Sequence, residues 1–560
     1  MTARSRLASS TSLSRARSLL IVLLVLGLVG FIVAERVSLT RLVVGVVMVT
    51  LLTSSSRRWP DPRGLHIPAI AVFGSLLGVA LLIRLPSILW AATVDWDEHT
   101  FLTVASQALQ GGLPYVATFD NKGPVSVLFN AVPLAIAPTS LSGVRIALAL
   151  IVGLSAFLIT RTAIALGAMT SDAMLAGGVF ILLASFVSTG SIWHTAHSGN
   201  LLVSALLLNI ATERGRRRYS FGVLLALLVL TRANYLFTAV AVVPVWLLTM
   251  PRHQRTTAVI QVCSGGVFTA AVFSVPYALT GNLGRLWAGL VTVNLQQGHG
   301  TTGFTALPNM SAILLIYFAA LWLTLRASRA NDDLRIYGLW RMTLVNAAAA
   351  FGTTVSISLS ERVYDHHLLL LIIFPALQVG IAMARIGMPK EGPGLRSGRV
   401  PLALDATVML SIVLAVSLNI VTRSAFRLDS AQPSVERDLA GLVEEALGDE
   451  DGTVWALSDH YVYWRLGVAP IDPLVTHPSS IAKPGFLAAS PHWNGPAAST
   501  SEAVMRILAS RPTVIVGVSS FNHSYLDQDS RDRILEAIDR GYVLQGHVDG
   551  RSVWRIADAS

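Results

Sequence analysis

Charged residues and cysteines are both scarce in this 560-residue chain. Only 13% of its residues are charged, against about 25% in an ordinary soluble domain. Cys263 is the only cysteine, which excludes an intramolecular disulfide and a cysteine-based metal site. By contrast, 53% of the residues are hydrophobic. Apolar runs long enough to cross a bilayer recur from residue 19 to about residue 421, which indicates a polytopic α-helical membrane protein.

Lysine is scarce as well: there are three lysines among 42 basic residues, and the net charge is +10. The arginines lie in short clusters between apolar runs, which is typical of the cytoplasmic loops of membrane proteins. No basic stripe is interleaved with aromatic residues, so the positive charge does not indicate nucleic-acid binding. We therefore place the protein in the cell (cytoplasmic) membrane, with the N-terminus cytoplasmic and the first apolar run kept as an anchor.

The apolar runs divide the chain into three parts. Residues 1–66 form a cytoplasmic end and two membrane crossings, residues 67–423 form a larger transmembrane unit, and residues 424–560 form a soluble extracytoplasmic domain. The count is about thirteen crossings. They are predicted at about 19–35, 38–54, 67–90, 143–164, 172–190, 199–212, 219–231, 234–249, 259–279, 309–326, 337–358, 366–385 and 402–421.

The apolar run 124–138 leaves the topology open. It has about 15 residues, which is short for a crossing. If it crossed, three basic clusters would lie outside: 214–218, 252–255 and 326–335. If it lies along the outer surface or re-enters, all three lie inside, and we adopt this second interpretation. The segment 91–123 and the tail are then both extracytoplasmic.

The tail, from about residue 424, changes in character. Strands are predicted at Thr453–Leu457, Thr513–Val518, Tyr542–Gln545 and Ser552–Ile556, and amphipathic helices at Ser501–Ser510 and Ser530–Arg540. This alternation predicts a small α/β domain. Its histidines show no metal-ligand spacing and are expected at surfaces or turns: His460, His477, His492, His523 and His547.

The outer segment 91–123 holds most of the chemistry-bearing residues. It reads Asp95-Trp-Asp97-Glu98-His99, then Gly111-Gly-Leu-Pro-Tyr115, then Asp120-Asn-Lys122-Gly-Pro124. Adjacent carboxylates at a membrane surface are costly to desolvate and indicate a function such as cation binding or proton abstraction. A lysine ammonium in this setting suits a phosphate oxygen, although it could also simply extend toward the interface.

This pattern resembles the first outer loop of the GT-C glycosyltransferases, in particular the protein O-mannosyltransferase and lipid A aminoarabinose transferase group. Members of that group commonly show Asp-Glu, Gly-x-x-Tyr and Lys-Pro-Pro, and this chain departs from the last motif at Gly123. The resemblance implies a GT-C-like fold and a polyprenyl-phosphate-sugar donor. It also implies Asp97 as the catalytic base, Glu98 as its helper and Lys122 as a phosphate contact, with Tyr115 and Asp120 in the same substrate-binding loop.

Three further places could contact the substrate. His194 and His197 stand three residues apart, on one helix face, where they could bind the donor or a metal or simply pack. Arg232 lies between two crossings and could contact phosphate or cap a helix. The run from Glu361 to His367 resembles a basic cluster of the family, in which Arg362, His366 and His367 could hold phosphate or anchor the helix.

The predicted reaction is the transfer of a sugar, with inversion, from the polyprenyl-phosphate donor to an extracytoplasmic protein, lipid or cell-wall glycan. Mannose, arabinose and aminoarabinose are the candidate sugars. Two alternatives stay open, a transporter or flippase of a lipid-linked saccharide and a non-catalytic scaffold for envelope assembly. The charges lie at one face and no internal repeat is found, which disfavours transport. A divalent metal is not indicated by the residues, and its requirement stays open.

Overall fold

The computed structural model describes the chain over residues 68–89, 96–187, 195–212, 217–296, 307–328, 334–359, 365–387, 433–448, 452–477, 479–483, 486–487, 499–518 and 525–557. The crossings predicted at 19–35, 38–54 and 402–421 lie outside these residues, and so do Asp95, His194 and Arg362. The described part is a bundle of apolar helices that carries a small mixed α/β domain at one end.

Most helices of the first half follow the predicted apolar runs closely; the exception is the helix Trp96–Leu109, which forms within the outer segment 91–123. The helices are α1 Ala69–Leu89, α2 Trp96–Leu109, α3 Pro124–Ile136, α4 Leu141–Ala165, α5 Thr170–Val187, α6 Thr195–Ala211, α7 Arg217–Thr231 and α8 Tyr235–Leu248. The helix α3 has 13 residues and is therefore roughly 20 Å long at 1.5 Å per residue, too short for a hydrocarbon core of about 30 Å. The helix α8, which is counted as a crossing, has only 14 residues, so the interpretation in which 124–138 does not cross stays a prediction.

The second half of the bundle begins with a long helix, α9 Arg252–Leu279. It continues as α10 Leu283–Trp287, a π-helical turn Ala288–Thr292, α11 Val293–Gln296, α12 Leu307–Ser328, α13 Leu334–Ser358, α14 Asp365–Leu368 and α15 Ile373–Gly387. Among the described helices, α4 and α9 are long and apolar enough to cross a membrane by length and composition, and eight shorter helices are apolar. The number of crossings stays a prediction.

The crossing predicted at 366–385 is interrupted, which corrects the expectation of one continuous helix. Four residues, 369–372, form a turn between α14 and α15. Pro375 explains the break, because its nitrogen cannot donate to the carbonyl of Leu371 and its ring would clash with that carbonyl. The amide of Asn200 donates to the carbonyl of Leu369 over 2.8 Å, which satisfies a buried polar group at the break.

The tail folds as predicted, into alternating helices and strands: α16 Pro433–Leu447, β1 Val454–Ala456, α17 Tyr461–Leu466, α18 Thr500–Ala509, β2 Val514–Val518, α19 Gln528–Gly541, β3 Tyr542–Val548 and β4 Arg551–Ile556. The sheet has the order β1-β2-β4-β3, with β1 parallel to β2 and the other pairs antiparallel. The helices α16 and α17 are additions to the predicted elements.

The tail domain packs directly on the segment 96–123. Its Pro473 carbonyl accepts from the backbone N–H of Phe119 at 2.8 Å, and its Thr476 carbonyl accepts from the hydroxyl of Thr100 at 2.7 Å. A single hydrophobic cluster joins Tyr115 and Phe119 to the tail residues around Trp455. The segment and the tail therefore form one continuous core at this end of the bundle.

Candidate active site

The helix α2 presents its two carboxylates in different directions. Asp97 and Glu98 are consecutive in its first turn, so their side chains point about 100° apart around the helix axis. Glu98 is completely buried and forms an ion pair with the guanidinium of Arg145 on α4, in which Nη2 lies 3.0 Å from Oε2. Asp97 keeps 28% of its side chain exposed and faces the tail domain. Of the two residues predicted to be catalytic, Asp97 is accessible and Glu98 holds α2 to α4.

The ion pair between Glu98 and Arg145 leads to a stability prediction. We expect Glu98→Gln to lower the free energy of unfolding by about 3–5 kcal/mol, because it removes the carboxylate charge that is paired with a buried guanidinium. The double variant Glu98→Leu, Arg145→Met removes both charges and should recover most of that loss. Denaturant unfolding of the purified protein in detergent measures both effects.

The matched control is Glu536→Gln on α19, which breaks an exposed ion pair with Arg540 and should change stability by less than about 1 kcal/mol. A Glu98→Gln protein of wild-type stability that had lost its activity would instead support the predicted role of Glu98 as a helper of Asp97.

Tyr115 shapes the loop 110–123, which carries Asp120 and Lys122. Its side chain is 1% exposed, and its hydroxyl donates to the backbone carbonyl of Lys122. Its ring lies against Phe119 and Tyr277, and a Cβ on Gly289 would fall 2.3 Å from it. Burial raises the pKa of this hydroxyl well above its usual range, so it stays a donor. The structure places Tyr115 beneath the loop as a support, and its predicted contact with substrate stays a prediction.

Lys122 and Asp120 lie together on this loop. The Lys122 ammonium donates to Asp120 Oδ1 at 3.3 Å and to the side-chain oxygen of Asn121, and it lies 5.5 Å from the centre of the Phe101 ring on α2. Both charged side chains are only partly exposed, at 13% and 12%. A partly desolvated ammonium binds an anion more strongly than an exposed one, because water competes less. The position of Lys122 is therefore suited to a phosphate.

Gly123 explains the departure from the Lys-Pro-Pro motif. A Cβ at this position would lie 1.8 Å from the carbonyl oxygen of Leu230 at the end of α7. The Gly123 N–H donates to the carbonyl of Thr231 at 3.1 Å, a bond that proline could not form. The glycine thus lets the loop press directly on α7.

We expect Gly123→Ala to lower the free energy of unfolding by about 1–3 kcal/mol, because the loop and α7 must move apart. Gly178→Ala on α5 is the matched control, since a Cβ there meets no atom within 4 Å. Thermal unfolding in detergent compares the two variants. Equal melting temperatures for both variants would show that the loop accommodates the added methyl group without a loss of stability.

Arg232 brings a second cation to the same place. It follows α7 and is 6% exposed. Burial lowers the pKa of its guanidinium, while Tyr235, Asp97 and Asp120 act in the opposite direction, so both carboxylates lie within electrostatic range of its charge. The structure therefore brings four of the predicted residues to one site: Asp97, Asp120, Lys122 and Arg232.

His477 is the functional candidate that the sequence prediction missed. It was expected at a surface or turn, yet its Nε2 lies 3.6 Å from Asp97 Oδ1, and its ring meets the Trp96 ring edge-on. Burial lowers its pKa to about 4, and Asp97 opposes that shift, so the imidazole is neutral at pH 7. A cleft of about 310 Å³, which includes space open to solvent, lies beside it and is lined by Trp455, Leu457, Ile481 and Tyr525.

The remaining predicted residues lie elsewhere or outside the described part. His197 is buried on α6, with Nε2 3.5 Å from Nη2 of Arg84 on α1. His367 is buried on α14, and the side chain of its neighbour His366 is not among those described. The sequence analysis did not name Arg84 as a candidate, although a single arginine inside an apolar run is a signal of possible function. Within the described residues, no group of three or more His, Cys, Asp or Glu residues could hold a metal ion.

Comparison with known proteins supports the fold rather than a close relationship. No protein-family model and no curated protein matches the sequence. The crystal structure of ArnT from Cupriavidus metallidurans in the apo state is similar over 87% of this chain and 96% of that chain, with a TM-score of 0.52 and 13% identity. The apo crystal structure of the Archaeoglobus fulgidus oligosaccharyltransferase is similar over 80% of this chain and 69% of that chain, with a TM-score of 0.46 and 11% identity.

The likeness to ArnT confirms the resemblance predicted from the motifs of the outer segment. The chain shares the fold of that ArnT structure. At 13% identity the likeness concerns the fold, and the chemistry has to be argued from the residues of this chain.

Proposed function

We propose that this protein is an inverting membrane glycosyltransferase that moves a sugar from a polyprenyl-phosphate donor to an extracytoplasmic acceptor. The observation that carries the proposal is the convergence of an accessible carboxylate, Asp97, with two partly desolvated cations, Lys122 and Arg232, at the end of the bundle beneath the tail domain. One base and one anion site are what inversion with a phosphate leaving group requires.

Asp97 accepts the proton from the acceptor hydroxyl or amine. The acceptor oxygen or nitrogen then forms a bond to C1 of the sugar, on the face opposite the phosphate. The C1–O bond breaks, and its electron pair passes to the phosphate oxygen. The polyprenyl phosphate leaves with one more negative charge than it had in the donor. Because a polyprenyl phosphate is a good leaving group, no general acid is needed.

Lys122 and Arg232 stabilise the negative charge that develops on the departing phosphate. Their placement in a site of low water content strengthens this attraction. Asp120 holds the Lys122 ammonium at 3.3 Å and fixes where it points. Tyr115 supports the same loop from below, so that a phosphate meets a preformed cation rather than a mobile one.

Membranes from cells that express the protein test the proposal when they are given radiolabelled polyprenyl-phosphate mannose, arabinose and aminoarabinose. Transfer of label from one donor to a protein, lipid or glycan fraction, absent from membranes with empty vector, is the expected result. Movement of the labelled lipid across sealed proteoliposomes without transfer would identify a transporter or flippase. If neither transfer nor movement of the lipid were observed, the non-catalytic scaffold would be the alternative that remains.

A further inference from the structure

The tail domain carries a side chain that faces the proposed base. His477 and Asp97 belong to different domains, and their side chains approach to 3.6 Å between Nε2 and Oδ1. That distance is longer than a hydrogen bond, and a shift of roughly 0.5 Å closes it to one. Contacts of this kind are often long in a free enzyme and shorten when the substrate binds.

The tautomer of His477 is fixed by its own loop. The backbone N–H of Ser479 donates to Nδ1 at 3.1 Å, and the Ser479 hydroxyl lies 2.9 Å from the same nitrogen. A ring nitrogen that accepts a hydrogen bond from a backbone N–H carries no proton itself. In the neutral ring the proton is therefore on Nε2, the nitrogen that faces Asp97. The imidazole is therefore a donor toward the carboxylate and has no free lone pair there to take a proton from it.

The loop around His477 is hydrogen-bonded to the segment 96–123 at two places, one on the helix α2 and one on the loop that follows it. The hydroxyl of Thr476 donates to the carbonyl of Phe119, and the carbonyl of Thr476 accepts from Thr100 on α2. These bonds join the residue before His477 both to the helix that carries Asp97 and to the loop that carries Asp120. The orientation of the imidazole relative to Asp97 is thus set by the docking of the tail.

We propose that His477 is a positioning residue, which donates its Nε2–H to Asp97 and holds the carboxylate ionised and oriented toward the acceptor. This inference rests on the proposed role of Asp97 as the base. It makes the tail domain a part of the catalytic unit, since a bundle without its tail would have the base but not the group that aims it.

The comparison of three variants at position 477 tests the inference in the full-length protein. His477→Ala removes the donor, and we expect kcat to fall about tenfold to 100-fold with little change in the KM of the donor substrate. His477→Gln places an amide N–H near the position of Nε2 and should restore most of the rate. His477→Asn places its N–H near Nδ1 instead, out of reach of Asp97, and should resemble the alanine variant.

The pH profile separates positioning from a merely structural role. Among the described residues, the charged and titratable groups near His477 are Asp97 and His99 on α2, Lys122 on the loop, Lys483 on its own segment, and His460 and Tyr525, which line the same cleft. These groups remain in every variant at position 477. Loss of the Nε2–H donor should therefore move the acidic limb of the kcat/KM profile to higher pH in the alanine variant and not in the glutamine variant.

The control is His547→Ala on β3, an exposed tail histidine, which should keep the wild-type rate and profile. Melting temperatures show whether each variant folds. Wild-type activity in His477→Ala, or equal losses in the glutamine and asparagine variants, would overturn the inference while the proposed function stands. A wild-type protein that transfers no sugar from any donor would overturn both.

Discussion

Asp97→Asn should lower kcat for sugar transfer by about 10²–10⁴-fold, the usual contribution of a general base. Asparagine has nearly the same shape as aspartate but takes no proton, so the acceptor would have to lose its proton to water. The KM for the polyprenyl-phosphate donor should change little, because the cations near the loop remain. Initial rates with matched amounts of purified protein, at saturating donor, measure the effect.

Asp539→Asn on α19 makes the same chemical change on an exposed surface and serves as the matched control. It should keep the wild-type rate. If Asp97→Asn also transferred sugar at the wild-type rate, Asp97 would not be the base. Asp120 would then be the next candidate, since it is the other carboxylate within electrostatic range of Arg232.

Lys122→Met should lower kcat/KM for the donor by roughly 10–100-fold, because a charge-assisted hydrogen bond to phosphate is worth about 1.5–3 kcal/mol. Methionine has a similar length and can pack against the Phe101 ring, so the loop should hold its shape. The loss should appear both in the KM of the donor and in weaker inhibition by free polyprenyl phosphate, which shares the phosphate group.

Arg540→Met is the control for loss of a positive charge, since this arginine is 76% exposed on α19. It should leave both constants unchanged. Lys122→Arg keeps the charge but brings a larger planar group into a site where only 13% of the lysine side chain is exposed, and it should recover part of the loss. Unchanged donor KM and product inhibition in Lys122→Met would show that this lysine is an interfacial anchor.

The positions of the bundle helices were largely predictable from the sequence. The apolar run predicted at 143–164 is the helix Leu141–Ala165, and the run at 337–358 is Leu334–Ser358. Long apolar stretches form helices wherever the backbone must satisfy its own hydrogen bonds, so composition and length are enough to find them. The break before Pro375 was not predicted, although the proline that causes it is visible in the sequence.

The candidate site was predictable in part. The spacing of Asp97, Tyr115 and Lys122 pointed to one outer segment, and the structure brings that segment together with Arg232. The opposite roles of Asp97 and Glu98 were not predictable, because adjacent residues look alike in sequence while the helix turns one toward the tail and the other toward Arg145.

The sequence by itself determined the apolar helices of the bundle, the α/β tail and the segment that carries the charged residues, because these depend on local composition and periodicity. Only the tertiary structure decided which carboxylate is buried, why Gly123 must lack a side chain, and that His477 of the tail faces Asp97. Those facts depend on contacts between residues far apart in the chain, and no local pattern encodes which distant surfaces will meet.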